Sequence, residues 1–193
     1  MTTLRERILD AGVELICTEG WDKVTMSQLA QRVGVSRQMV YKEIGARGIL
    51  ARAIVTRHAD RFLAHVAEHM RAHGADIAGG IGAAAGYVLH TAADDPLIRA
   101  ILSAAHGSGQ DLLPLLAIEP GPVLERAMGT VLGESHALYD DLGLSRLPEL
   151  VEIVVRLTLS HLIQPSGPVE QAVAQVDRVV REALAASGTR DIA

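Results

Sequence analysis

The chain is punctuated for helices and for nothing else. Polar capping residues, glycines and prolines recur at helix-length intervals, and the β-branched residues between them fall at helical spacing. No Asn-Gly or Asp-Gly turn separates alternating apolar runs, so hairpins have nothing to form from. An all-α fold follows. With 193 residues and 49% hydrophobic content, the chain buries a core without disulfides. Its one cysteine, Cys17, excludes an intramolecular disulfide framework and a four-cysteine zinc site, and reads as a small buried residue. The first residues turn charged at once, with no apolar leader, and no run of 18 uncharged apolar residues follows. A cytoplasmic protein with no membrane partner is expected.

Periodicity and caps give the segments. A first helix runs from Leu4 to Glu19, with Ile8, Ala11, Leu15 and Ile16 on one face and Gly20 closing it. Thr25 caps a second to about Arg32, with Gln28 completing a capping box, and Ser36 caps a third to about Lys42. A long helix follows Gly45 to about His73. Beyond Gly74, an Ala- and Gly-rich helix ends near Ala93, and its small residues permit close helix contacts. Pro96 starts another to about Ala105, and a Gly/Pro-rich loop spans 107–122. A helix from Pro122 to Leu132 is followed by a polar connection to Leu144. Leu147 to Ile163 is apolar on nearly every side and needs cover all round. In the last helix Val169, Val173, Val176, Val180 and Ala183 repeat at 4-3-4-3 spacing, a helix-helix seam. These two helices are expected to form a four-helix interface with their symmetry mates, with Val176 inside it.

Residues 25–42 carry the functional signal. Two short helices flank Val33-Gly34-Val35, the spacing of a helix-turn-helix. Ala30 is small where the second helix crosses, Gly34 supplies positive φ, and Leu29, Val33, Val35 and Val40 lock the pair. Arg37, Gln38, Met39 and Lys42 are left outward, free to enter a major groove of double-stranded operator DNA. Thr25 and Ser27 put hydroxyls and N–H groups where a phosphate would sit. An ordinary αα-hairpin fits the same stretch, and Glu43 would repel phosphate if it faced DNA. Charge favours DNA: residues 1–73 hold 11 Lys and Arg against 8 Asp and Glu, leaving 7 against 15 for the rest.

The motifs Ile8-Leu9-Asp10-Ala11, Glu19-Gly20-Trp21, Val24-Thr25-Met26, Leu29-Ala30, Val33-Gly34-Val35-Ser36 and Val40-Tyr41 together resemble the TetR family of bacterial transcriptional regulators. The likeness spans residues 4–55. It implies that Ser36, Arg37, Gln38, Met39 and Tyr41 meet DNA. It also implies that Arg47, where the family usually has Lys, contacts a phosphate. Two positions depart from the pattern, Ile44 for an aromatic and Gly48 for an acidic residue. The expected organisation is a three-helix DNA-binding domain, 1–47, and a larger helical domain, 48–193, that binds an effector and forms a homodimer. The back half resembles a branch of actinobacterial members associated with alkane or fatty-acid metabolism.

A ligand-responsive repressor, released from its operator by a small hydrophobic effector, is the function these features imply. The alternative is a helical lipid- or small-molecule-binding protein that does not bind DNA. Candidate effector contacts are Tyr87, Ile98, Leu102, Leu116, Met128 and Leu132, with small residues from Ala83 to Gly86. Aromatic faces that would hold a cationic drug are scarce there, so a fatty acid or acyl-CoA suits the composition better. His65, His69 and His73 repeat at i, i+4, i+8, a spacing that ligates a metal or simply forms a solvated stripe. No nucleophile elbow, phosphate loop or His-Glu-x-x-His is present, so neither an enzyme nor a cofactor is implied.

Overall fold

The computed structural model describes residues 2–103, 121–139 and 146–188. Among these there are nine α-helices and one short 3₁₀ turn, and no strand. They are α1 (Leu4–Glu19), α2 (Met26–Val33), α3 (Arg37–Ile44), α4 (Arg47–Ala72), α5 (Ile77–Asp94), α6 (Pro96–Ser103), α7 (Gly121–Tyr139), α8 (Leu147–Ile163) and α9 (Val169–Gly188), with the 3₁₀ turn at Trp21–Lys23. Leu116 and the stretch 107–120 lie outside the described residues.

Contacts divide the chain into two units, with the boundary inside α4 after Ala59. The first holds α1 to α3, the start of α4, and α6. Its core is built from Ile8, Leu15 and Ile16 of α1, Leu29 and Val33 of α2, Val40 and Ile44 of α3, Leu50 and Ile54 of α4, and Leu97 and Ile101 of α6. Ile44, the departure from the usual aromatic, is a filled core position. One carboxylate organises the α6 corner. Asp95 Oδ1 accepts the Ile98 N–H at 2.9 Å, capping α6, while Oδ2 lies 3.1 Å from His58 Nε2 of α4.

The second unit holds the rest of α4 with α5, α7, α8 and α9. Val66 and Met70, Ile81 and Ala85, Leu124 and Val131, Val151 and Val154, and Val176 and Val180 form one cluster. The valine stripe of α9 is therefore a seam within the protomer. Val176 and Val180 are fully buried, and α9 packs chiefly on α5. This corrects the expectation that Val176 enters a dimer interface: a charge there would meet the protomer's own core. On α8, Leu150, Val151, Val154 and Val155 are buried while Ile153 stays 53% exposed, so one face of that helix is left uncovered.

One further expectation changes. Helix α7 continues through Gly129 and Gly133 to Tyr139 instead of ending near Leu132. Each glycine costs a helix interior about 1 kcal/mol, but buried Val131 and Ser135 and half-buried Leu138 carry the inward face on. Two of the α5 glycines make the close helix contacts that small residues permit. A methyl group on Gly82 would fall 2.9 Å from Asp177 Oδ1 of α9, and one on Gly86 would fall 3.5 Å from Val173 Cγ1.

That difference predicts the sign of two substitutions. Gly86→Ala makes an ordinary contact with Val173, so helix propensity should raise stability by up to about 1 kcal/mol. Gly86→Leu must push α9 off α5 and should lower stability by about 1–3 kcal/mol. Thermal melts followed by circular dichroism check both, and an unchanged melt for Gly86→Leu would mean that this face is not packed.

Candidate nucleic-acid interface

The turn between α2 and α3 is built by backbone chemistry. Gly34 sits in the left-handed region at φ 76°, and its N–H donates to the Ala30 carbonyl at 2.9 Å. The Val35 N–H donates to the same carbonyl at 3.0 Å, so the chain reverses over Ala30, which is itself 5% exposed. The Ser36 hydroxyl accepts the Met39 N–H at 3.2 Å and starts α3. At the head of α2 the Thr25 hydroxyl is committed to a capping box with Gln28, while Ser27 is exposed. The Gln28 N–H is taken by the Thr25 hydroxyl, whereas the N–H groups of Met26 and Ser27, the first two of the helix, have no intrahelical acceptor.

Val40 and Ile44 face the core, which turns Gln38, Met39 and Lys42 to the opposite side and leaves Glu43 on a flank. Met39 is 46% and Tyr41 42% exposed, two of the four large hydrophobics that lie open among the described residues. Arg37 Nη2 donates to the Tyr41 hydroxyl at 3.3 Å, and its guanidinium carbon stands 5.3 Å from the ring centroid. The open surface of α3 thus carries two cations, Arg37 and Lys42, the amide of Gln38, and the apolar surfaces of Met39 and Tyr41.

Other front-half cations serve the scaffold. Arg7 Nη2 donates to the Val33 carbonyl at the end of α2 at 2.5 Å, and Arg5 Nη1 to the Glu43 carbonyl near the end of α3 at 3.1 Å. Both place positive charge at the negative end of a short helix. Arg32 pairs with Glu14, and Arg57 with Asp10 at 2.9 Å. Sequence reading missed Arg5 and Arg7, because their acceptors are backbone carbonyls far along the chain and leave no trace in side-chain spacing. Arg47 also turns inward: its Nη2 donates to the Trp21 carbonyl at 2.6 Å, and the guanidinium lies 4.3 Å from the Trp21 ring centroid.

The candidate effector residues fall in both units. Tyr87, Met128 and Leu132 pack against the core of the second, whereas Ile98 and Leu102 belong to α6 in the first. Tyr87 is ringed by Phe62, His65 and His69, with centroids 6.0, 5.6 and 4.7 Å away. Among the described residues no three His, Cys, Asp or Glu gather to hold a metal ion. No helix described is long and apolar enough to cross a membrane.

Two family models match the chain. One, described as "Bacterial regulatory proteins, tetR family", covers residues 8–43, and the other, the C-terminal domain of the bacterial tetracyclin repressor, covers 76–182. The chain belongs to the TetR family. Members are DNA-binding transcriptional regulators, not enzymes, whose C-terminal domain binds ligand and dimerises, so this TetR-family chain is a ligand-responsive repressor. A carrier that does not bind DNA is not favoured. The HTH-type transcriptional regulator AlkX of Mycobacterium tuberculosis is 27% identical over 177 residues, 92% of this chain and 83% of that one. The crystal structure of the TetR-family repressor AlkX from Dietzia sp. strain DQ12-45-1b, implicated in biodegradation of n-alkanes, aligns with a TM-score of 0.76 and 26% identity, over 94% of this chain and 97% of the other. The repressor QsdR of R. erythropolis has the same fold at a TM-score of 0.66, with 20% identity over 92% and 94%.

Cys17 offers a local check on the first unit. Contrary to the buried position expected for it, it is exposed on α1. Partial desolvation, and then the negative charge of Asp95, push its thiol above the usual range. Reaction with a maleimide or disulfide reagent should therefore be slow at pH 7 and accelerate at higher pH than for a free thiol. Asp95→Asn keeps a cap on α6 and removes the charge, so it should speed labelling. An equal rate would place Asp95 too far from the thiol.

Proposed function

We propose that this regulator reads its operator with α3 and releases it when an alkyl-chain amphiphile occupies the C-terminal domain. In this reading residues 1–47 bind DNA in the cytoplasm, and 48–193 bind the effector and dimerise, with the open Ile153 face of α8 meeting a second copy. The observation that carries the DNA half is the outward set on α3: Gln38, Met39 and Lys42, flanked by Arg37 and Tyr41. Base edges fall to Arg37 and Gln38, and phosphates to Lys42, Ser27 and the N–H groups at the head of α2. A gel-shift titration against duplexes selected from a random pool tests it. Arg37→Ala or Gln38→Ala should relax preference by about 1–3 kcal/mol at one base position, while Lys42→Ala should weaken all duplexes alike. Unchanged affinity and specificity in Arg37→Ala would remove α3 from the groove.

The effector class rests on lining chemistry. A groove of about 420 Å³ in the second unit is lined by Leu63, Ala64 and Ala67 of α4 and Gly129 and Thr130 of α7, with Asp60 and Arg126 beside them. These two side chains pair at 2.8 Å and are each half exposed, so Asp60 can turn to water and cede Arg126 to another carboxylate. Small aliphatic walls with one such cation suit a hydrocarbon chain bearing an acid group, and the AlkX repressor of Dietzia is implicated in n-alkane degradation. Saturated fatty acids should raise the melting temperature progressively with chain length. Asp60→Asn, which frees Arg126, should enlarge that rise, and Arg126→Gln should shrink it. Stabilisation by planar aromatic cations alone would overturn the effector class and leave the DNA reading standing.

A further inference from the structure

Arg47 opens α4, where a basic residue at the edge of the DNA-binding module reads most simply as a phosphate ligand. Its surroundings argue otherwise. The Nη2 donates to the Trp21 carbonyl at 2.6 Å, the guanidinium covers the Trp21 ring at 4.3 Å, and the Nε atom is buried. Trp21 is 2% exposed and sits four residues ahead of Thr25, the cap of α2. A planar cation held by a carbonyl and a ring face at once has its orientation fixed in a way that a flexible ammonium does not reproduce.

We propose that Arg47 is a positioning residue that fastens the first turn of α4 to the Trp21–Lys23 turn, and so sets the angle of α2 and α3, without touching a phosphate. The partner geometry has a direct consequence for chemistry at the DNA. A phosphate oxygen would have to draw the guanidinium off the indole face and away from a carbonyl inside a buried corner. Releasing Arg47 would let the cap of α2 shift, and α3 with it, because the turn over Ala30 joins the two helices rigidly.

Salt dependence separates a strut from a phosphate ligand. The full-length protein, Arg47→Lys and Arg47→Met are titrated by fluorescence anisotropy against the duplex that the wild type selects from a random pool, across a range of salt. A lost phosphate contact would lower the slope of log affinity against log salt by about 0.9, and lysine would restore it. For a strut, both variants should bind about tenfold more weakly with the wild-type slope, lysine failing to rescue, as expected when a guanidinium fork is replaced by a point charge. Trp21 is the only tryptophan, so its emission reports the contact directly in the unaltered protein. That emission should not change when DNA saturates the wild type, and should move in both variants. Rescue by lysine, a reduced slope in Arg47→Met, full affinity in either variant, or a shift of wild-type Trp21 emission on DNA binding would each overturn the proposal. Should the variants not fold, the wild-type emission measurement still decides it. Failure of the wild type to select any duplex would instead count against α3 as the reading helix.

Discussion

What α3 presents outward depends on one left-handed residue. Gly34 turns the chain so that two successive N–H groups reach the Ala30 carbonyl, and that shared acceptor sets the crossing of α2 and α3. A side chain with a β-carbon would be strained at this φ, and a larger residue at position 30 would hold the helices apart. Once the crossing is set, Val40 and Ile44 have no face but the core to occupy. The outward set then follows from the 3.6-residue period alone. Arg5 and Arg7 reinforce the arrangement from α1, each placing a guanidinium on a terminal carbonyl of a helix too short to be stable by itself.

Much of the fold was legible because it is local. The bounds of α1 and α8, the capping box of α2 and the Ser36 cap of α3 depend on residues within four positions of one another, and sequence reading placed them correctly. Reading failed where a distant neighbour decides. Gly129 and Gly133 look like a break, yet α7 runs through them because its inward face is covered by other helices. The α9 valines announce a seam by their spacing, but spacing carries no address. Their partner is α5, whose glycines, conspicuous in sequence, acquire meaning only from Asp177 and Val173 opposite.

The candidate site divides in the same way. Gln38, Met39 and Lys42 were readable as an outward face from periodicity, and family resemblance added Tyr41. Arg47 shows the limit: its position at the head of a helix is visible in the chain, whereas its attachment to Trp21 joins residues far apart in sequence. Of the candidate effector residues, Ile98 and Leu102 belong to one unit and Tyr87, Met128 and Leu132 to the other. Composition gave the chemical character of the region, aliphatic and poor in aromatics, without assigning which of its side chains line a groove.

The carboxylate of Asp95 has a different kind of consequence. It caps α6, stands beside His58 of α4 and bears on the thiol of α1, so a single side chain is answerable to three helices. Substitutions that share a partner do not act independently. Substitutions at positions 17, 58 and 95 should therefore fail to add: a change on one helix alters the effect of a change on the other two.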